Sequence, residues 1–387
     1  MATVMTRRDM LRGGLAVAGL GVLGVPEWAL PALAQGSEII PFTDIPENFN
    51  TVPSETNRFL DIRTIDGPFT PADQFFTTQH YGHPSIDVAS FRLKITGLVD
   101  RPTELSIEDL RGLGPTELNA GFECSGNSGR RLQGLASNGR WTGLPLRSLL
   151  ERAGVRDAGR EVVFFGADHG EEEVEWRGRT FPVDQQYGRS ITVEQAMGDD
   201  PFVAFDLNGA PLTVHQGFPL RLIMPGWYGV ANVKWLSQIH VQEERYLGKY
   251  QARWYRTLRG EMIDGEMKWK ESAVTRMQGK SAIARVTRDG DHHTVFGFVL
   301  NDGTPVQSVE VKVDDGPWEP ATVDPLSGAF SWKFFTYVWN GATPGEHTLV
   351  SRVTDARGRV QPVAADLENK LTFLEDNSQF PRTVMIA

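Results

Sequence analysis

Glu123-Cys124-Ser125-Gly126-Asn127-Ser128-Gly129-Arg130-Arg131 sets the chain's single cysteine ahead of small residues and two arginines. Small residues after a cysteine let the backbone approach something bulky. The positive charge beyond them favours a thiolate over a thiol. A thiolate in this setting can ligate a soft-tolerant metal or act as a nucleophile, and a lone cysteine can also be a small core residue. The segment alone leaves these three open. The count is more restrictive. One cysteine excludes an internal disulfide, a haem attached through Cys-x-x-Cys-His and a cysteine-ligated iron–sulfur cluster.

Outward from this segment, Phe91 to about Glu244 alternates short apolar strands with short helices, the texture of an α+β domain. Pro145 to Gly154 reads as a helix, with Pro at its start, Gly at its end and Leu146, Leu149, Leu150 and Ala153 on one face. Ser106-Ile107-Glu108-Asp109 reads as an N-terminal cap. Val162 to Phe165 and Leu220 to Met224 read as buried strands. Tyr246 to about Gln278, polar and rich in Trp, Lys and Arg, reads as a linker. Beyond it Val309, Val311 and Val313 alternate with Glu310 and Lys312, the period of a half-buried strand. Turn signals at Asn301-Asp302-Gly303, Asp314-Asp315-Gly316 and Pro344-Gly345 punctuate such runs. This spacing predicts an all-β sandwich of the immunoglobulin-like kind.

The ends and the charge set the context. Residues 1–34 read as an export signal: Arg7-Arg8 in a charged start, an apolar run from Gly13 to Val25, and Ala32-Leu33-Ala34 as a cleavage site. The paired arginines match the twin-arginine route. The apolar run is shorter than the roughly 20 residues of a membrane-spanning helix, so no span is expected in the mature chain. Removing 1–34 takes away three arginines, one Asp and one Glu, so the formal charge of -10 becomes -11. A chain this acidic is a poor general binder of nucleic acid or anionic membranes. Gly36 to about Asp73 is irregular and reads as a surface arm. The remaining length favours two domains: residues 35–265 and 266–387.

Four more segments, read with the cysteine loop, resemble the sulfite oxidase family of molybdopterin oxidoreductases in the same order. Phe75-Phe76-Thr77-Thr78-Gln79-His80 is similar to its Phe-Phe-x-Arg-Asn-His segment. Trp141 to Leu146 follows the cysteine at the family's distance. Tyr187-Gly188-Arg189-Ser190-Ile191 resembles Tyr-Gly-x-Ser-Ile. Gly217 to Arg221, Pro225-Gly226 and Asn232 to Leu236 match the longest motif. The C-terminal part resembles the family's dimerisation domain through Gly316-Pro317-Trp318, Trp332-Lys333-Phe334 and Gly345-Glu346-His347. The resemblance implies one molybdenum–molybdopterin per chain, with Cys124 as the protein's sulfur ligand. It places His80, Gln79, Asp168, His215, Gln216, Arg221, Asn232 and Lys234 around the pterin and its phosphate. Tyr187 would donate beside the metal, and Arg130 or Arg131 would attract the substrate. It further implies periplasmic oxidation of sulfite to sulfate by a homodimer, with electrons passed to an external acceptor such as a c-type cytochrome.

Departures from the pattern bear on the substrate. Thr78 stands where the family places an arginine that grips sulfite, Lys333 stands where a second arginine would reach the pocket, and Gln216 replaces a histidine. Loss of forked donors weakens the hold on a compact oxyanion. A sulfane dehydrogenase, or an oxidoreductase for another sulfur compound or oxoanion, is therefore the alternative. Two readings from other classes are a thiol hydrolase using Cys124 with His80 or His169, and a zinc site of His80, His83 and Cys124. Glu171-Glu172-Glu173 reads as a solvated loop, and His292-His293 as a polar turn.

Overall fold

The computed structural model describes residues 37–46, 49, 54, 57–325 and 327–387; the expected export segment lies outside them. The fold is α+β. In the larger unit one sheet orders its strands Thr103–Leu105, Leu93–Gly97, Leu236–Gln242, Glu161–Trp176 and Arg179–Thr192. Leu236–Gln242 runs parallel to Leu93–Gly97 and antiparallel to Glu161–Trp176. A second sheet holds Thr116–Glu123, Ala136–Pro145 and Phe202–Leu207, with Arg221–Ile223 on the last. The expected helix forms over Leu146–Ala153, buries all four predicted residues, and ends on Gly154 in the left-handed region. Ser106 and Asp109 cap Ile107–Arg111 reciprocally. Leu149, Leu150, Leu110, Phe164 and Leu222 share one core, and apolar burial of this kind contributes about 1.5–3 kcal/mol per large side chain.

From Lys280 onward two antiparallel sheets face each other. One contains Lys280–Asp289, His292–Leu300 and Lys333–Trp339; the other contains Val306–Val313, Gly345–Asp355 and Arg382–Ile386. Val309 and Val311 point into the core between them, as their alternation predicts. The N-terminal arm joins this unit, since Glu38–Ile40 pairs with Lys280–Asp289. A separate apolar cluster joins the two units, with Leu60, Ile62 and Leu132 against Phe296, Phe298 and Trp332.

Two expectations fail. The segment expected as a linker is ordered: Lys249–Arg253 forms a wide helical turn, and Arg256–Ile263 pairs with Glu266–Ala273 around Asp264-Gly265. Both central residues of that turn have positive φ, which an Asp-Gly pair supplies readily. The expected boundary after residue 265 therefore falls inside a hairpin. The Glu171–Glu173 run lies in a strand of a long hairpin, with Glu172 accepting from Tyr81 at 2.7 Å and pairing with Lys249. Charge in these stretches marks partners brought from elsewhere in the chain, which local polarity cannot reveal.

Candidate active site

Cys124 follows directly on the strand Thr116–Glu123 and opens a loop closed by one side chain. Asn127 donates to the Glu123 carboxylate and the Gln133 carbonyl, both at 2.9 Å, and accepts from the Leu135 amide at 3.0 Å. Glu123 is fully buried and pairs at 2.8 Å with Lys280, the first residue of the second unit's leading strand. The loop's glycines face the C-terminal segment: a Cβ on Gly126 would lie 3.4 Å from the Phe373 ring, and one on Gly129 3.2 Å from Phe380. Without a bound metal, burial pushes the Cys124 thiol up, and the Gly126 backbone and Arg131 only partly oppose it. The arginines are thus not sufficient by themselves to make a thiolate here.

Two cavities meet at this cysteine. The inner cleft, about 610 Å³, has Gln79, Asp168, Gln216, Arg221, Asn232 and Lys234 in its wall, with Thr78 and Tyr187. The outer funnel, about 2140 Å³, is walled by Arg130, Arg131, Trp254, Lys370, Phe373 and other residues of the C-terminal segment. Arg130 is exposed, whereas Arg131 lies over the Phe59 ring at 4.8 Å. Thr78 sits half-buried in the cleft wall.

The strand-and-turn motif at Gly217–Leu236 builds the cleft floor. Gly217 takes φ 97° and lies so close to Lys234 that a Cβ would be 2.9 Å from its Cα, a contact only glycine permits. Arg221 donates to the backbone and side-chain oxygens of Gln216 at 3.1 and 3.0 Å. Lys234 donates to Thr77 and Gln79, both at 2.9 Å. Burial lowers the Arg221 guanidinium to about 9 and pushes Lys234 well below the usual lysine range, with Arg221 adding to the latter. Asp168, in the same cleft, offsets the Lys234 shift only in part, and two buried cations without an ion pair among the described residues are costly and suit a site that receives an anion. Asn232 differs: its side chain accepts from Met224 and donates to Tyr228, so it supports the backbone of the floor.

Lys333 is a correction. Its ammonium donates to the carbonyls of Gly328, Ala329 and Ser331, and it lines neither cavity. A four-carbon stem placed beside three carbonyls of its own loop satisfies itself locally. The zinc reading, and the hydrolase reading through His169, also lose their geometry. His80 bonds Tyr255, His83 packs on His215 with ring centres 4.6 Å apart, and His169 bonds Asp184. Among the described residues no three His, Cys, Asp or Glu side chains converge as metal ligands.

Sequence reasoning missed Tyr250, Trp254, Tyr255 and the C-terminal wall. Tyr250 stacks on His80 and Tyr187 at 4.5 and 4.7 Å. Arg189 holds this shelf by donating to the carbonyls of Tyr250 and Val274. The aromatic density of Tyr250-Gln251-Ala252-Arg253-Trp254-Tyr255 was the available signal, since exposed linkers seldom carry it.

Comparison with known proteins identifies the class. The oxidoreductase molybdopterin binding domain family matches residues 80–250, so the chain carries a molybdopterin-binding oxidoreductase domain related to the family of sulfite oxidase and the sulfane dehydrogenase SoxCD. Human mitochondrial sulfite oxidase is 28% identical over 328 residues, covering 76% of this chain and 57% of that protein. Its counterpart in Drosophila melanogaster is 27% identical over 335 residues, covering 76% and 55%. The match thus spans less than two thirds of these relatives. The solved structure of SoxCD from Paracoccus pantotrophus shares 25% identity at a TM-score of 0.72, covering 100% of this chain and 98% of that one.

The residues present fit the cofactor of this class. Four buried polar atoms on or beside the cleft have no hydrogen-bond partner among the described residues: Arg221 Nε, Gln79 Nε2, His215 Nδ1 and Asp168 Oδ1. Such atoms are costly unless a ligand satisfies them. Two are donors, one is an acceptor and the imidazole nitrogen can be either, which suits a pterin with a phosphate. Asp168 gives a test. Burial lifts its carboxyl from 3.8 to about 6, so the folded chain keeps this proton longer than the unfolded chain. The resulting penalty is absent below pH 3.8, grows as pH rises through 6 and is complete above it. At pH 7 it amounts to about 3 kcal/mol. Asp168→Asn is expected to raise the melting temperature of cofactor-free protein at pH 7 but not below pH 3.8, and to reduce cofactor retention at any pH. Thermal melts at both pH values, with metal analysis, check this.

Proposed function

We propose that this chain is the catalytic subunit of a molybdopterin-dependent dehydrogenase acting on sulfane sulfur or a related sulfur compound, with electrons leaving to an external acceptor. The observation that carries the substrate choice is that the two positions at which the resemblance expects an anion-gripping arginine, Thr78 and Lys333, place no forked donor in the cleft wall. Thr78 replaces one family arginine, and the Lys333 ammonium is spent on its own loop. The wide funnel and the full-length likeness to a sulfane dehydrogenase support the same reading. Free sulfite is the second reading, favoured by Arg130 in the funnel wall and by the likeness to sulfite oxidases.

In this proposal Cys124 ligates the metal. Arg221, Lys234 and His215 hold the phosphate, while Gln79, Asp168 and Gln216 orient the pterin and Asn232 keeps the floor in place. When bound, molybdenum–molybdopterin would supply oxygen-atom transfer to sulfur and take up the electron pair. Each cycle adds one oxygen atom from water and releases two protons and two electrons. Arg130, exposed at the mouth, draws an anionic substrate inward. Tyr187 donates to the Val230 carbonyl at 2.7 Å, so it supports the cleft wall and meets the metal side only if that bond opens. Among the described residues no helix is long and apolar enough to cross a membrane. Periplasmic location by the twin-arginine route, pairing of two chains through an immunoglobulin-like second unit, and a c-type cytochrome as acceptor complete the proposal.

The test is acceptor-coupled oxidation by protein shown to contain molybdenum, with glutathione persulfide and sulfite compared. A kcat/KM for the persulfide at least tenfold above that for sulfite is expected. The reverse preference would establish the sulfite reading, and folded, cofactor-supplied protein without molybdenum would overturn both.

A further inference from the structure

Cys124 opens a four-residue turn, closed by the Asn127 amide on the Cys124 carbonyl at 2.9 Å. The middle peptide of that turn joins Ser125 to Gly126. The two common forms of such a turn differ by a flip of this peptide, and one of them needs positive φ at the third residue. Glycine at that place, Gly126, leaves both forms open. Gly126 does not take a positive φ, so one orientation has been selected. Its amide faces the Cys124 sulfur and hydrogen-bonds it. The Ser125 carbonyl points the opposite way, as a planar trans peptide requires.

That carbonyl is held from the C-terminal segment, where the Glu375 amide donates to it at 2.7 Å. Glu375 is buried and takes φ 56°, a conformation that a residue with a side chain keeps only where its surroundings impose it. Here they do. Its carboxylate accepts from Thr257 Oγ1 at 2.7 Å and from Arg259 at 3.3 Å. Just upstream the segment pairs with the same strand, the Gly260 amide donating to Asn369 at 2.8 Å and the Leu371 amide to Leu258 at 2.9 Å. We propose that Glu375 is a positioning residue, which holds the Ser125–Gly126 peptide in the orientation that aims an amide N–H at the sulfur of Cys124. The proposal rests on the reading of Cys124 as the metal ligand.

On this assignment the end of the chain sets an electronic property of the centre. An N–H donor to a ligating sulfur withdraws charge from it, and such outer bonds tune reduction potentials. Hydrogen bonds in a chain polarise one another, so the Glu375 amide strengthens the bond that the same peptide makes to sulfur. With the anchor gone, the peptide is free to turn its N–H away. The sulfur then keeps more charge, and the metal becomes harder to reduce.

The measurement takes molybdenum-loaded wild type, Glu375→Ala, and Glu375→Ala combined with Gly126→Ala. It reads metal content, the midpoint potential of the metal, the thiolate-to-metal charge-transfer absorption, and kcat and KM on the best sulfur substrate. Glu375→Ala is expected to load metal but to be about tenfold harder to reduce, about 59 mV for one electron. Its absorption should shift and its kcat fall about tenfold with little change in KM. Loss of a wall residue alone would instead raise KM and leave the potential in place. Alanine at 126 disfavours the positive φ of the flipped form, and its Cβ would make an ordinary contact of 3.4 Å with Phe373. The double variant is therefore expected to recover the wild-type potential. Should Glu375→Ala fail to fold, Thr257→Val, which removes one donor to the carboxylate, carries the same readouts and shifts the potential in the same direction by less. An unchanged potential and absorption in a folded, loaded variant, or a shift that Gly126→Ala does not reverse, would overturn the role of Glu375. A folded wild type that takes up no molybdenum would overturn the ligand reading instead, before any variant is compared.

Discussion

Cys124→Ser is expected to leave a folded protein with no measurable turnover. The cysteine's structural bonds are main-chain: its amide donates to Leu135 and its carbonyl accepts from Asn127, both at 2.9 Å. Serine keeps both, so the change in stability should stay within about 1–2 kcal/mol, the range for a buried hydroxyl with imperfect partners. The chemistry does not survive. A hydroxyl is a hard, weakly acidic ligand where the cofactor class calls for soft thiolate. Disturbing an outer-shell partner of a metal commonly costs 10–100-fold; loss of the ligand itself should cost more than about 10³-fold. Parallel melts and turnover assays decide the matter, and substantial turnover by metal-free Cys124→Ser protein would remove the cysteine from its proposed role.

The second large effect is expected one residue earlier. Glu123 and Lys280 are 0% and 3% exposed at the side chain and 2.8 Å apart. Burial raises the Glu123 carboxyl, and Lys280 followed by Asn127 pulls it back down. Its second oxygen has no hydrogen-bond partner among the described residues. Lys280→Met removes the counter-charge and leaves a buried carboxylate beside the ligand loop. Breaking one side of such a pair typically costs 3–5 kcal/mol, whereas replacing both sides can be close to neutral. Lys280→Met should therefore shift the urea midpoint strongly, and Lys280→Met with Glu123→Gln should recover most of the loss. Equal midpoints for the parent and the single variant would show that the pair contributes little.

Local rules carried much of the fold. Pro145 and Gly154 bracket a helix because one presets φ and the other accepts the left-handed cap. Ser106 and Asp109 cap each other, and Val309 and Val311 alternate into a core. The cleft was legible through ordered motifs, since Gly217, Arg221 and Lys234 must lie together for the floor to close. What escaped were features decided by distant partners. Tyr250 and Tyr255 lie in a polar stretch whose order comes from Arg189, some sixty residues earlier in the chain. Glu172 looked solvated because Tyr81 and Lys249 are far from it in sequence. Lys333 was placed by alignment of a motif, and only its loop carbonyls show that its side chain turns away. The Asp264-Gly265 turn is the exception: a local signal that the surrounding charge obscured.

The outer funnel's wall has a bearing on how the protein is made. Ala364, Leu367, Phe373, Asp376 and Ser378 come from the end of the chain, and the Glu375 amide donates to the Ser125 carbonyl at 2.7 Å. Synthesis runs from the other end, so the cysteine loop is produced some 250 residues before the segment that roofs it. A nascent chain therefore keeps its cysteine loop uncovered until residues 364–378 have been made, and the funnel wall closes only with that segment.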